Sequence, residues 1–196
     1  VLGSTVGGDI LLKSISGNIN CQSSGGFISL KEIDANTISC RASGGKIIGD
    51  NLDANLSLKC FGNKIQIKNI NGTGNLYSSG GDILVENFSG ALLINSERGN
   101  IIIEDAIGGV QAITSSGDID ADLSYDSSVN DYSVYMETHL GNIKTIIPKS
   151  YPANMENIVY QTTSIKSISS DIILNIDVEH EKVIGKRSIE GGIIPF

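Results

Sequence analysis

Residues 79–91 carry the sequence SGGDILVENFSGA. A glycine pair leads into a short segment in which Ile83 and Val85 stand two residues apart, the spacing of side chains on one face of a β-strand. Turn-forming Asn87, Ser89 and Gly90 follow at once. The stretch therefore predicts a short strand bounded by tight turns, with no helical period.

The same pattern recurs through most of the chain. A Gly-x-Ile triplet or a close variant places an isoleucine every 18 or 19 residues, at Ile10, Ile28, Ile47, Ile65, Ile83, Ile101 and Ile119. We interpret the variant that begins at Gly62, Gly-Asn-Lys-Ile, as a triplet stretched by one residue. A second apolar register follows five or six residues after each isoleucine, at Ile15, Ile33, Leu52, Ile70, Phe88 and Ile107. Each repeat thus contains two halves, each a short strand closed by turn residues.

A repeat of this length predicts a solenoid. One unit alone cannot bury its inward side chains, whereas stacked units form a continuous core in which each strand pairs with its counterpart one coil away. We therefore predict an all-β fold, a single-chain parallel β-solenoid of the β-helix or β-roll type with coils of about 18 residues. The pattern leaves open whether the cross-section is a flattened two-sheet roll or a triangle, and it leaves the handedness open as well.

The repeat is regular over residues 1–124 and loosens afterwards. We predict one solenoid domain over residues 1–196, in which residues 125–196 form irregular final coils and a cap over the open sheet edge. Residues 186–196 are a candidate returning edge strand, and a separate second domain is the less favoured interpretation. Because the chain starts at Val1 rather than Met, we interpret its N-terminus as truncated.

Composition narrows the functional classes. The chain is 40% hydrophobic and 18% charged, which is enough apolar content for a packed core. Its formal net charge of −8 disfavours nucleic acid as a partner, because binding to backbone phosphates needs clustered Lys and Arg. No apolar run reaches 18 residues, so no transmembrane segment is predicted.

The repeat resembles a known family. The pattern Ser-x-Gly-[Gly/Asn/Asp]-x-Ile followed by Ile-x-[Gly/Ala], as in residues 79–91, is similar to the adhesin domain family of unknown function that is common in bacteria. It is also similar to eukaryotic relatives of that family in the family-with-sequence-similarity group. The likeness covers roughly residues 3–147. The resemblance implies a β-solenoid and brings no catalytic residues with it.

Outward positions of the predicted stack suggest an interaction stripe. The residue three places after each repeat isoleucine points outward and becomes acidic in the later coils, and the residue one place after it is apolar in two adjacent coils. The stripe consists of Leu84, Ile102, Glu86, Glu104, Asp120 and Asp122. A simple solvated acidic surface is the main alternative. Either the C-terminal segment or a partner is expected to cover Leu84 and Ile102.

The Asp and Asn residues after the turn glycines invite comparison with calcium-binding β-rolls. Those rolls need a Gly-Gly-x-Gly-x-Asp repeat. Here the second Gly-x pair is absent, and Phe27 and Lys46 occupy the same position in other coils. We therefore favour a turn-forming role and predict no metal and no cofactor.

Three cysteines occupy nearly equivalent points of consecutive coils, at Cys21, Cys40 and Cys60. Their odd number and wide spacing predict a column of packed thiols rather than a disulfide framework or a zinc site. Reduced thiols would indicate an intracellular setting. Glycosylation-type motifs such as the one at Asn55 hint at secretion instead, so the localisation stays open.

No catalytic site is predicted. The two histidines, His139 and His180, lie outside the regular repeats, and no Gly-x-Ser-x-Gly motif occurs. We predict a non-catalytic, adhesin-like binding module that presents a flat face to a protein or glycan of unknown identity. The alternative is a structural accessory subunit of a larger assembly. A polysaccharide-active enzyme with paired carboxylates is a remote third possibility. The oligomeric state is left open.

Overall fold

The computed structural model describes residues 1–148, 155–160, 175–179 and 182–187. In these ranges the chain forms β-strands, turns and bends and no helix. The strands are β1 (Leu2–Thr5), β2 (Ile10–Ser16), β3 (Ile19–Ser23), β4 (Ile28–Ala42), β5 (Ile47–Cys60), β6 (Ile65–Asn71), β7 (Gly74–Ser78), β8 (Ile83–Ser89), β9 (Leu92–Ser96), β10 (Ile101–Ile107), β11 (Val110–Thr114), β12 (Ile119–Leu123), β13 (Val134–Thr138), β14 (Ile143–Ile146), β15 (Met155–Tyr160), β16 (Asn175–Glu179) and β17 (Lys182–Arg187).

The strands stack as a parallel β-solenoid of about seven turns, as the repeat predicts. Each segment that follows a Gly-x-Ile triplet pairs with its counterpart one coil away, so that Ile28 lies between Ile10 and Ile47. We call this stack the first ladder. The second halves of the coils form a second ladder, which runs through β1, β3, the ends of β4 and β5, and then β7, β9, β11, β13 and β15.

The core is a set of aliphatic columns between the ladders. From Ile28 onwards the repeat isoleucine and the residue two places later are buried, as Ile65 and Ile67 are, whereas Ile10 and Leu12 in the first coil are partly buried. A third inward residue follows five places after the isoleucine, as Phe88 does. The period-two alternation that the sequence predicts is therefore confirmed.

A column of left-handed residues bends the first ladder in every regular coil. Ser14, Glu32, Asn51, Asn69, Asn87 and Asp105 all have φ between 52° and 56°. Asn and Asp tolerate this conformation better than most residues. The side chains are also linked between coils, since Asn87 Nδ2 donates a hydrogen bond to Asn69 Oδ1 at 3.1 Å. In the coils that contain this bend, the next inward residue therefore stands five residues after the repeat isoleucine.

This constant spacing corrects one register of the sequence analysis. Ala106, rather than Ile107, pairs with Phe88 and is fully buried. Ile107 instead pairs with Ser89 and is half-buried. The apolar character of Ile107 suggested a spacing of six residues, which the fixed bend does not allow.

The glycine of the repeat triplet is required by close backbone contact between coils. A Cβ added at Gly45 would lie 2.1 Å from the carbonyl oxygen of Gly26. The variant triplet is not stretched, contrary to the sequence interpretation. Asn63 occupies the glycine position itself, because its backbone lies where a Cβ on Gly81 would fall, 2.4 Å away.

The prediction of a thiol column is wrong. Cys21 and Cys40 face each other on neighbouring strands and form a disulfide with a Cα–Cα distance of 4.8 Å. Cys60 pairs with Ala42 and Ser78, two positions further along the second ladder. The sequence misleads because a register shift in β4 absorbs the extra residue of the first interval, whereas the 20-residue second interval exceeds one 18-residue coil by two.

Cys60 is buried and its thiol contacts the carbonyl oxygen of Gly45. Burial raises the pKa of this thiol, against the opposite effect of backbone hydrogen bonds from Asn63 and Gly62. We expect a thiol reagent at about pH 8 to modify no cysteine in the native protein, because the Cys60 thiol is both inaccessible and protonated. In denaturant without reductant, one cysteine should react, and three should react after reduction. Three reactive thiols before reduction would contradict the disulfide.

The stack loosens where the sequence predicts. Ile119 pairs with Ile143, 24 residues later, because a longer loop connects β12 to β13. Tyr132 in this loop folds back into the core. The parallel order continues through β14 and β15, and β17 then runs antiparallel to both β15 and β16.

The predicted cap falls only partly within the described residues. Of the candidate edge strand at residues 186–196, only Lys186 and Arg187 belong to a described strand, β17. His180 lies outside the described residues. None of the described residues lies in a helix long and apolar enough to cross a membrane.

Candidate functional site

The apolar part of the predicted interaction stripe comes together as expected from the repeat. Leu84 on β8 lies directly opposite Ile102 on β10, and both side chains are half-buried on the outer face of the first ladder. Glu86 and Glu104 stand opposite each other on the same two strands. The four residues therefore form one continuous patch across two coils.

The two remaining acidic residues lie on the next strand, β12. Asp120 adjoins the patch because it lies opposite Ile102, and its carboxylate is 3.3 Å from the ammonium group of Lys144. Asp122 pairs with Ile146 on β14, and the register between β10 and β12 shifts after Ile103, so that Asp122 does not continue the column of Glu104. The acidic stripe is thus shorter than the sequence suggested.

The pairing of the described C-terminal strands gives no evidence that they cover Leu84 and Ile102. β15 continues the second ladder by pairing with β13, and β17 adds to β15. The other C-terminal residues lie outside the described part of the chain. The expectation that the C-terminal segment covers this patch stays a prediction.

The Asp and Asn side chains after the turn glycines are engaged in the stack. Asp118 Oδ1 accepts a hydrogen bond from the backbone amide of Asn142 at 2.7 Å, and Asn100 Oδ1 accepts one from the amide of Asp118 at 2.9 Å. Asp82 and Asp9 act in the same way one coil below their partners. These oxygens cap backbone amides, which is the turn-forming role that the sequence favours. Among the residues that the structure describes, no group of three or more His, Cys, Asp or Glu is placed to hold a metal ion.

The outer face of the second ladder carries a cluster that the sequence analysis missed. The Arg41 guanidinium lies 4.0 Å from the centroid of the Phe61 ring, and the Phe61 and Tyr77 rings are 5.5 Å apart. The Tyr77 hydroxyl donates a hydrogen bond to Glu97 Oε1. We call these four residues the aromatic cluster. It places a cation, two rings and a carboxylate side by side across four coils.

Contacts within the aromatic cluster fix the ionisation of its tyrosine. The hydrogen bond to Glu97 raises the pKa of Tyr77, with smaller contributions from burial and from the negative charge of Glu97. Tyr77 therefore stays a neutral hydroxyl that orients the carboxylate. Arg98, the neighbour of Glu97, donates a hydrogen bond from Nε to the carbonyl oxygen of Ser79 at 3.3 Å.

We call the outer surface of the second ladder the second-ladder face, and two columns of outward side chains run along it beside and through the aromatic cluster. The first holds small polar side chains in register, at Asn20, Ser39, Ser57 and Asn75. The second holds longer ones, at Gln22, Arg41, Lys59, Tyr77 and Asn95. All of them point away from the core. In most coils these positions stand five and seven residues after the second apolar register, as Asn75 and Tyr77 do after Ile70, so the alternating pattern would have found both columns.

The comparisons with known proteins give one match. Residues 5–164 match the family described as Toastrack DUF4097, a domain of unknown function. No curated protein and no solved structure matches the chain. The match covers most of the solenoid and assigns no residue a role.

Proposed function

The chain belongs to the Toastrack DUF4097 family, and on that premise we propose that it is a non-catalytic, adhesin-like binding module that engages its ligand through the second-ladder face. The observation that carries the proposal is the aromatic cluster. Arg41, Phe61 and Tyr77 are residue types that dominate the binding energy of protein surfaces. The ligand that we propose is a protein or a glycan.

The cluster is already ordered without a ligand. The Phe61 ring is held between the Arg41 guanidinium and the Tyr77 ring, and Tyr77 is held by Glu97. Side chains fixed in this way lose little conformational entropy on binding. The stacked strands beneath them add a rigid support, because each contributing strand pairs with its neighbours on both sides. Pre-ordered aromatic and cationic groups on a rigid sheet favour recognition.

Binding to immobilised probes tests the proposal. We expect the folded chain to be retained on at least one of polygalacturonate, cellulose or a deglycosylated cell-surface protein fraction. Tyr77→Ala should weaken that retention by about tenfold or more, because it removes a ring from the centre of the cluster. Tyr135→Ala is the matched control, since Tyr135 also donates to a carboxylate, Glu137, but lies three coils away on the same ladder.

Two outcomes would contradict this proposal. One is the absence of retention on every probe, and the other is an equal loss in Tyr77→Ala and Tyr135→Ala. Circular dichroism of each variant confirms that the fold is intact before binding is compared.

An accessory subunit of a larger assembly is the second candidate function. The contact between Leu84 and Ile102 favours it, because two adjacent half-buried aliphatic side chains on an outer face suit a protein interface. Retention that is lost in Leu84→Asp and kept in Tyr77→Ala would support this candidate over the first. A polysaccharide-active enzyme remains the remote alternative, because Glu86 and Glu104 stand opposite each other on neighbouring strands and such enzymes use a pair of carboxylates.

A further inference from the structure

We propose that the second-ladder face binds an extended polysaccharide that carries carboxylate groups and runs along the axis of the solenoid. This inference rests on the proposed binding function and names its ligand class. Four features of the face support it: a regular spacing of polar groups, their lack of hydrogen-bond partners among residues 1–148, a pair of cations without a carboxylate partner in the described part of the chain, and the adjacent rings.

The first feature is the spacing of the small polar column. Asn20, Ser39, Ser57 and Asn75 lie in register on four successive strands of the second ladder. Neighbouring strands are about 4.8 Å apart, so the column presents one hydrogen-bonding side chain at each such step over about 14 Å. An extended chain of pyranose rings advances by a comparable distance per sugar. A ligand with this repeat can place one sugar on each coil.

The second feature is that these side chains have no hydrogen-bond partner among the described residues 1–148. At the corners of the coils, Asn and Asp side chains form hydrogen bonds with the next coil. For example, Asn55 Oδ1 accepts a hydrogen bond from the Thr73 hydroxyl at 2.7 Å. Within residues 1–148, by contrast, the side chains of Asn20, Ser39, Ser57 and Asn75 form no hydrogen bond to another protein group. The stack needs its corner residues for stability, whereas it leaves this column available to hydroxyl groups of a ligand.

The third feature is a pair of cations in an acidic chain. Arg41 and Lys59 lie directly opposite each other on β4 and β5 and both are exposed. In the described part of the chain, neither forms an ion pair with a carboxylate. Like charges opposite each other on neighbouring strands repel. An anionic group bound between the two cations removes that repulsion. Because the protein as a whole has a net charge of −8, a locally positive site such as this one is where it can attract an anion.

The fourth feature is the position of the rings. Tyr77 follows Asn75 by two residues on the same face of β7, and Phe61 packs against it. The ring edges thus border the small polar column at one end. The C–H face of a sugar can pack against such rings while its hydroxyl groups bond to Asn75 and Ser57. A carboxylate on the same chain then lies within reach of Lys59 or Arg41.

Chain-length dependence tests the inference. We expect oligogalacturonates to bind more tightly as they lengthen from two to four sugars, by roughly tenfold, since each added sugar gains about one net hydrogen bond on the column. Beyond six sugars the gain should level off, because the face is then covered. Neutral cello-oligosaccharides of equal length should bind at least about tenfold more weakly. Isothermal titration calorimetry on the whole chain measures both series.

Matched variants locate the ligand. Ser57→Glu should lower oligogalacturonate affinity by more than about tenfold, because it adds bulk to the column and a negative charge that repels the carboxylates of the ligand. Ser29→Glu is the control, since Ser29 is also a half-buried serine on a strand but belongs to the first ladder. Lys59→Gln should reduce the preference for acidic over neutral oligosaccharides, whereas Lys31→Gln on the first ladder should leave it unchanged.

Several outcomes would overturn the inference. Affinity that does not change with length, equal binding of acidic and neutral sugars, or equal effects of Ser57→Glu and Ser29→Glu would each do so. Equally tight binding of a poly-glutamate peptide would identify an acidic protein segment as the ligand instead. If a deglycosylated protein probe is retained and Tyr77→Ala abolishes that retention, the proposed binding function stands while the polysaccharide inference fails.

Discussion

Replacement of Gly90 by alanine is expected to lower the free energy of unfolding by about 3 kcal/mol or more. Gly90 has φ of +128°, a conformation that L side chains rarely adopt. An added Cβ would also fall 1.9 Å from the carbonyl oxygen of Gly72 on the coil below. The two coils would have to separate or the backbone would have to change its conformation, and either change breaks hydrogen bonds of the ladder.

Gly80→Ala is the matched control for this change. A Cβ at Gly80 has Phe61 O as its nearest neighbour, at 3.6 Å, which is an ordinary contact. We expect the control to change stability by less than about 0.5 kcal/mol. Urea unfolding followed by circular dichroism measures both variants. If Gly90→Ala unfolds at the same urea concentration as the parent protein, the close contact between Gly90 and the carbonyl oxygen of Gly72 is not what holds these coils together.

The second large effect is expected at Phe88. Its side chain is 1% exposed and is among the largest buried in the described part of the chain. Phe88→Ala should therefore lower the free energy of unfolding by about 3–5 kcal/mol, since it removes the apolar contacts and leaves a cavity. Phe61→Ala on the outer face is the control and should cost about 1 kcal/mol.

Gly74 provides a sharper test of the same packing. A Cβ at Gly74 would lie 3.1 Å from the Phe88 ring and 2.8 Å from Leu92 Cδ1, so the absence of a side chain at Gly74 makes room for Phe88. Gly74→Ala should destabilise the parent protein but should cost less, or add stability, in the Phe88→Ala background. A double-mutant cycle measures this coupling. Additive effects would show that the Phe88 ring and a side chain at position 74 do not compete for the same space.

The sequence predicted the solenoid because its strongest signals are local and periodic. A Gly-x-Ile triplet at nearly constant intervals encodes both the turn and the first inward residue, and the pairing of Ile65 with Ile83 follows directly from it. The same regularity brought Leu84 next to Ile102. Stacked coils turn a difference of one repeat in sequence into contact in space.

Errors arose where the interval departs from the coil length. The disulfide between Cys21 and Cys40 depends on a register shift within β4 that the residue types do not reveal. The loss of Asp122 from the acidic column has a similar cause, a shift between β10 and β12. An error of one or two residues moves a side chain to another column, because neighbouring columns face different surroundings.

The aromatic cluster was missed for a different reason. Its members are separated by 20, 16 and 20 residues along the chain, so that no two consecutive members occupy the same position of the repeat. Arg41 and Tyr77 share one column, two coils apart, whereas Phe61 and Glu97 lie outside that column. Contact between Arg41 and Phe61, or between Tyr77 and Glu97, therefore joins different positions of the repeat as well as neighbouring coils. A search for one residue type at a constant interval does not find a cluster that alternates in this way.

The covalent link between Cys21 and Cys40 gives the rod a mechanical asymmetry. A force applied at Val1 peels β1 and β2 from the stack and then reaches the link, where the segment from Cys21 to Cys40, a sequence separation of 19, cannot lengthen. About 65 Å of contour length is withheld in this way. Tension from the N-terminal side therefore passes directly to the β4 strand, while tension from the other end meets no comparable clamp within the described residues. Reduction of this one bond releases the hidden length.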